Sequence, residues 1–427
     1  MAGLEQLTTQ PTAPTAAGRS DAPAPVAGLR PPSSRSQRGL DWFVFFLADV
    51  QTSFVPFVSV YLTTKSWTQS EIGLVLSIGA LVALLGQIPG GALVDAVRSE
   101  RLLAAAAVTT IGLSALVLVA YPTFSVVMTA AVMQAGANCL LGPVVAAISL
   151  GLVGHAAVGE RLGRNARFTA VGSITAAAIM GAWGYFLSTQ TVFLVIVGLC
   201  IPAIIAVGFI RAEEIDVDRS HGGKVASHPG PVAIVRSLAG NGPLATFALC
   251  ALLFHLANAA MMPQIAGRAA VQSPEWATTL VGAYVIVPQL VVAFLAPSVG
   301  RQAQVWGRRP LILAAFAALA VRGLLYAFVS DPFVVLGIQV LDGISGAILS
   351  VMIALVIADV TRGSGHFNLA VGTVGTCMGI GASLSTLLGG YTSTAFGSSN
   401  SFLILSAIAV LGLAFAFARM PETRPEA

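Results

Sequence analysis

Charge is what this sequence has least of. Asp, Glu, Lys and Arg make up 9% of its 427 residues, against about 25% in a soluble domain. Hydrophobic residues make up 56%, and the mean hydropathy is +0.85. No single globular core could hide that much apolar surface, so the chain reads as a polytopic membrane protein. Cysteine is scarce too. The four present, Cys139, Cys200, Cys250 and Cys377, all fall in apolar segments, and their spacing fits neither zinc nor a disulfide framework. They read as small buried hydrophobes. None of the five histidines stands in a His-Glu-x-x-His context, which excludes that class of intramembrane metalloprotease. Gly381-Ala382-Ser383 runs on into Leu384, not into the glycine of an intramembrane serine protease. No phosphate-binding Gly-x-x-x-x-Gly-Lys loop is present, which argues against an ATP-driven pump. An enzyme is not expected, nor is a cofactor or a metal.

Residues 1–39 are rich in Pro, Ala, Ser, Thr and Gln and hold no apolar signal-peptide core. They are expected to form a disordered cytoplasmic tail. A window of about 20 apolar residues then gives twelve spans, near 40–62, 72–94, 102–120, 124–148, 167–188, 190–210, 243–263, 278–299, 309–329, 333–357, 367–393 and 398–418. Residues 211–242 form a central loop between six-span bundles at 40–210 and 243–418, and 419–427 form a second tail. Of the 22 Lys and Arg residues, 19 fall on the side of the two termini. Lys65 and Arg268 fall opposite, and Arg322 falls within a span. This bias places both termini in the cytoplasm. It also accounts for the net charge of +4 without a nucleic-acid partner.

The two halves echo each other. The second span ends in Gly91-Ala92-Leu93-Val94-Asp95-Ala96-Val97-Arg98-Ser99-Glu100-Arg101, and the eighth in Gly300-Arg301-Gln302-Ala303-Gln304-Val305-Trp306-Gly307-Arg308-Arg309. The offset is 209 residues, and Pro89 and Pro297 precede the two copies. The fifth and eleventh spans share Ala170-Val171-Gly172 and Ala370-Val371-Gly372, at an offset of 200. With this layout and these loop residues the chain resembles the major facilitator superfamily over about residues 40–420. The resemblance implies an all-α fold of twelve helices in two pseudosymmetric six-helix bundles, and transport by alternating access. It also implies a cytoplasmic latch at Gly91, Asp95, Arg98, Arg101, Gly300, Gly307, Arg308 and Arg309. In the family the latch aspartate meets a helix N-terminus or basic side chains and stabilises the outward-open state. Here Ala96 and Arg98 depart from the usual residues, and Gln304 replaces the second acid.

Ionisable residues at bilayer depth are costly and mark functional paths. Asp49 and Gln51 lie in the first span, Gln134 and Asn138 in the fourth, His255 and Asn258 in the seventh, Arg322 in the ninth and Asp342 in the tenth. The resemblance makes spans 1, 4, 7 and 10 the walls of the central cavity. His255 and Asn258 are spaced i, i+3, and Gln134 and Asn138 i, i+4, so each pair shares a helix face. At about 1.5 Å per residue, Asp49 lies roughly 13 Å and His255 roughly 18 Å from the cytoplasmic end. Their separation of 206 residues is close to the repeat. Asp49, His255 and Asp342 are therefore the candidate proton-coupling groups, with Gln51, Gln134, Asn138 and Asn258 as candidate substrate contacts. A cavity that is alternately wet and dry changes the proton affinity of a carboxyl or an imidazole. Arg322 and Asp342 are expected to form a buried ion pair, with a structural role or a share in proton binding.

The expected partners are a small-molecule substrate, H+ with Na+ as the alternative ion, and the lipid bilayer; a monomer in the cell membrane, for a bacterium the inner membrane, is the expected form. Few fixed basic residues border the cavity, which argues against a highly anionic substrate. Efflux of a small organic compound is the first reading, and uptake of a small metabolite is the second. The Gly-Pro signature of many antiporters in the superfamily is missing from Val171-Gly172-Ser173-Ile174-Thr175-Ala176.

Overall fold

In a hydrocarbon solvent every backbone N–H and C=O must be bonded within its own segment, so apolar runs of this length become helices. The computed structural model describes residues 32–52, 58, 61–62, 65–67, 69–186, 189–223, 240–272 and 277–424. Among them the chain runs α1 (Ser34–Thr52), α2 (Gln69–Ala96), α3 (Glu100–Ala120), α4 (Phe124–Phe186) and α5 (Thr189–Phe209). A 3-10 turn (Ala212–Glu214) and α6 (Val217–Ser220) lead to the second half. There follow α7 (Gly242–Asn258), α8 (Met261–Gln272), α9 (Ala277–Trp306), α10 (Arg309–Phe328), α11 (Pro332–Val360), α12 (Phe367–Phe396) and α13 (Ser398–Arg419). α4 is two spans in one, divided at Gly154, where φ of 70° and ψ of 175° break the helix. α7 and α8 are one span interrupted at Ala259–Ala260. Among the described residues nine stretches are long and apolar enough to cross a membrane, with both arms of α4 counted as one.

The first helix begins at Ser34, inside the segment expected to be a disordered tail. A local reason is visible. Ser36 is buried, its hydroxyl accepts from the Arg211 amide at 2.9 Å, and Ser33 donates to Glu214 at 2.9 Å. Residues 1–31 lie outside the described ones.

The apolar core divides as the repeat does. One cluster holds Leu40, Phe43, Ile111 and Phe193 of the first half; the other holds Phe247, Phe316, Met352 and Phe402 of the second. Leu150, Val158 and Leu162 of α4 pack into the second cluster and form the seam between the halves. Glycines carry the closest approaches across that seam. A Cβ on Gly91 or Gly372 would overlap the backbone of Asn368 or Gln87, and one on Gly300 or Gly163 that of Gly159 or Ala296. Within the halves, Gly172 lies against Phe45 and Gly381 against Leu252.

These contacts correct the repeat register. Gly91 and Gly300, Gly163 and Gly372, and Gly172 and Gly381 each differ by 209 and make corresponding contacts. The Ala-Val-Gly match at 200 is therefore fortuitous: Gly172 packs on α1 of its own half, whereas Gly372 packs on α2 of the other. The Phe45 and Leu252 contacts set α1 and α7 apart by 207. Asp49 thus corresponds to Leu256, and His255 to Ala48, one position away from the pairing expected from sequence.

Candidate functional site

Two chambers differ in charge. The first sits inside the second half, where α7 stops at Asn258. Asn258, Met261, Met262, Arg322, Tyr326, Gln339 and Asp342 border a small hollow of about 80 Å³. The Arg322 guanidinium pairs through Nη1 with Asp342 and through Nη2 with the Asn258 side-chain oxygen. It also meets Met261 Sδ at 3.3 Å and lies 5.9 Å from the Tyr326 ring centroid. The Tyr326 hydroxyl donates to Gln339 at 2.9 Å. The pair is lopsided: the Arg322 side chain is 3% exposed and that of Asp342 is 32% exposed. Arginine is sealed in, and its carboxylate faces the hollow.

The second chamber lies between the halves and holds about 340 Å³. Helix α4 supplies Val145, Asn165 and Thr169, α9 supplies Gln289, and α11 supplies Gly346 and Ser350. Among the described residues its lining carries no charge. Asn165 donates to Ser149 at 2.7 Å and accepts from Arg161 Nε at 2.9 Å, which ties the chamber wall to a buried ionic cluster. In that cluster Asp41 of α1, 2% exposed, accepts from Arg161 and Arg164. A smaller cavity of about 190 Å³ within the first half is lined by Gln134 and Asn138 among Val58, Val75 and Ala131. The side-chain oxygen of Asn138 is buried there without a partner.

Sequence reasoning placed His255 on the face of Asn258. Its Nδ1 lies 2.9 Å from the carbonyl of Ala251, one turn back on its own helix. Among the described residues it has no hydrogen bond to Asn258 or Asp342. Asp49 and Gln51 lie on α1, but their side chains are outside the described ones. Asp41, Asn165, Thr169, Gln289 and Ser350 were not singled out from sequence. Asp41 alone had a readable signal, a carboxylate followed directly by Trp42-Phe43-Val44-Phe45-Phe46.

At one end of the bundle Asp95 caps α12 across the seam. Its carboxylate accepts from the Asn368 amide at 3.2 Å, the Asn368 side chain at 2.8 Å and the Leu369 amide at 2.8 Å. The first amides of a helix have no partner within it, so an acceptor from the opposite half ties the two together. The arginines act elsewhere. Arg101 reaches the carbonyls of Val207 and Gly208 at 3.4 Å, and Arg98 is exposed. In the second copy Gln304 stands in the place of Asp95, and its Nε2 is buried without a partner. Arg308 is buried against Asp359 at 2.9 Å. Arg309 donates to the Phe417 carbonyl at 2.6 Å. Gly307, with φ of 91°, faces the Glu422 carboxylate, which accepts from the amides of Arg308 at 2.8 Å and Arg309 at 3.2 Å. Burial works to raise the Glu422 carboxyl, but the amides that donate to it outweigh burial and hold it below the usual carboxylate range.

The Major Facilitator Superfamily pattern matches residues 42–267 and again 247–427. The chain belongs to that superfamily. Uncharacterised MFS-type transporters of Mycobacterium tuberculosis strains CDC 1551 / Oshkosh and H37Rv are each 36% identical over 396 residues, covering 91% of this chain and 94% of theirs. Among solved structures, the Escherichia coli fucose:proton symporter FucP superposes with a TM-score of 0.71 at 15% identity, over 90% of this chain and 99% of that one. The human organic anion transporter MFSD10 superposes with a TM-score of 0.65 at 11% identity, over 90% of this chain and 100% of that one. At such identities the likeness is one of fold. This major facilitator is a multi-pass membrane transporter, and the superfamily moves small molecules across membranes rather than transforming them.

Asp95→Ala tests the cap directly. Losing a capping carboxylate costs about 1–2 kcal/mol, so the ratio of closed to open seam should fall roughly 5- to 30-fold. Spin-label distances across that end of the bundle would report it, with Arg98→Ala unchanged. An equal effect from Arg98→Ala would assign the closure to the arginine instead.

Proposed function

We propose that this protein is a proton-coupled secondary transporter that exports a small, uncharged, amphipathic organic molecule by alternating access. The observation that carries the reading is the contrast between the chambers. The cavity between the halves offers a neutral, largely apolar lining with a few hydrogen-bonding groups, the Asp41–Arg161–Arg164 cluster standing behind Asn165, while the partly exposed carboxylate of Asp342 faces a separate hollow. An organic anion, the cargo named for the human neighbour, would need a cation in the lining, and among the described residues the lining holds none. The partly exposed carboxylate beside a sealed arginine can take a proton from water, and protonation would end the pair. In this scheme Asp342 is the coupling group, Arg322 holds it and is itself held by Asn258, and Asn165, Thr169, Gln289 and Ser350 meet the substrate. Gln134 and Asn138 line a side cavity, and His255 has a packing role.

Export follows from the cargo. An amphipathic compound enters cells through the bilayer unaided, so a pump is useful only outward. The Lys and Arg bias supports cytoplasmic termini and puts the Asp95 cap on the cytoplasmic side. The closed seam there supports an outward-facing state. A monomer in the bacterial inner membrane, coupled to H+, completes the proposal. The same fold serves a fucose:proton symporter, so uptake by symport is the second reading.

Proteoliposomes carrying a pH-sensitive dye separate the two. Adding an uncharged amphiphile outside should acidify the medium under antiport and alkalinise it under symport. Saturable substrate flux with no proton movement of either sign would remove the coupling.

A further inference from the structure

The segment that follows α5 is docked onto both halves at the Asp95 end. Its 3-10 turn and α6 lie on the first half: the Asp216 amide donates to the Gly151 carbonyl at 3.2 Å, and a Cβ on Gly151 would overlap Ile215. The Ser220 hydroxyl donates to Glu100 at the start of α3, and His221 Nε2 lies 3.5 Å from the same carboxylate. The next atoms along the strap reach the second half. The Phe367 amide donates to the His221 carbonyl at 3.1 Å, the Asn368 side chain to the Ser220 carbonyl at 3.1 Å, and the Gly363 amide to the Gly222 carbonyl. The first three amides of α12, those of Phe367, Asn368 and Leu369, thus find acceptors on the strap and on Asp95. Opening this end would leave all three without partners.

We propose that residues 216–223 form a pH-sensitive strap, in which the His221–Glu100 pair locks the seam closed when the solution at this end is acidic and releases it when that solution is alkaline. The sidedness rests on the orientation proposed above; the lock itself does not. Burial opposes a charge on His221, but Glu100 and then Asp95 outweigh it, and His221 is raised above its ordinary 6.5. The charged groups facing the ring are Glu100 from α3 and Asp95 from α2. From the second half, Gly363 and Phe367 meet the strap, and the loop before α12 also carries Arg362 and His366; the strap itself carries Asp216, paired with Arg219, and Asp218. A histidine raised in the docked state stabilises docking fully below its undocked value, and that contribution is lost as pH rises through the docked value. For a carrier that brings protons inward, an acidified interior would then slow its own opening, a negative feedback on proton influx.

The test uses the full chain in lipid nanodiscs with spin labels at Leu102→Cys and Arg362→Cys, in a background where the four native cysteines are alanine. The open fraction should rise several-fold between about pH 6 and pH 8, bracketing the ordinary histidine value. His221→Gln and Glu100→Gln should each flatten that slope. A flat wild-type profile overturns the proposal, as does a His221→Gln profile that keeps the slope. Glu100→Gln reads the same pair from its other partner should the histidine variant fold poorly. Because distances are read without transport, failure of proton coupling at Asp342 would leave this result standing. Labelling of Arg362→Cys by a membrane-impermeant maleimide on intact cells decides the sidedness separately.

Discussion

Asp342→Asn is expected to abolish proton-driven transport and to lower stability by about 3–5 kcal/mol, the usual loss when a buried ion pair keeps its charge and loses its partner. The reason is the asymmetry of burial. Arg322, at 3% exposure, cannot reach water, so without the carboxylate its charge is balanced only by the Asn258 oxygen and the Tyr326 ring. Arg322→Met should be less destructive to the fold, because the carboxylate left behind is partly solvated. The double variant Arg322→Met/Asp342→Leu should regain most of the lost stability, since apolar replacements of buried pairs are often neutral. It should not regain coupling. Thermal unfolding in detergent and dye-reported proton flux read the two properties apart. If Asp342→Asn still moved protons with substrate, the pair would be purely structural and the coupling group would lie elsewhere. A charge-swapped pair as unstable as either single variant would count against the pairing itself.

Asp41→Asn should rank with it in severity. Asp41 is 2% exposed and serves two arginines, of which the Arg161 side chain is 3% exposed and that of Arg164 is 44% exposed. Removing the carboxylate leaves Arg161 held only by Asn165 at 2.9 Å and the Gln37 carbonyl at 3.5 Å. A loss of about 3–5 kcal/mol follows for Asp41→Asn. Arg164→Ala, which removes an exposed partner, should stay within about 1 kcal/mol. Melting temperatures of the purified variants check the order. An Arg164→Ala protein as unstable as Asp41→Asn would show that the exposed arm holds the cluster. Asn165 lines the central chamber, so Asp41→Asn should also weaken substrate binding while leaving Asp342 untouched.

The helical layout was open to reading because lipid leaves the backbone so few solutions. The loop after the second span was readable for a related reason: Gly91 and Gly300 must lie flush against a crossing helix, and that need survives in both copies of the repeat. The fifth and eleventh spans misled because Ala, Val and Gly are abundant, and three of them in a row carry little information. Only the crossing partners reveal that Gly372 corresponds to Gly163. Helical spacing put His255 beside Asn258, yet an imidazole can bond its own backbone one turn back, and periodicity cannot foresee that choice. Asp41 escaped notice because a carboxylate at the end of a span looks hydrated until its neighbours are known. Asn165, Thr169, Gln289 and Ser350 are neutral and raise no alarm in an apolar run. The importance of the strap was hidden because Ser220 and His221 gain meaning only from Glu100 and Phe367, more than a hundred residues away.

Glu422 has a practical consequence for anyone handling the protein. The residues just past α13 are a working part of the molecule: Glu422 caps α10, and Arg424 fastens onto the carbonyls of Gln304 at 3.2 Å and Val305 at 2.7 Å. A purification handle or reporter fused directly after Arg419 would unbuckle that turn. Fusions belong beyond Ala427 or at the other terminus.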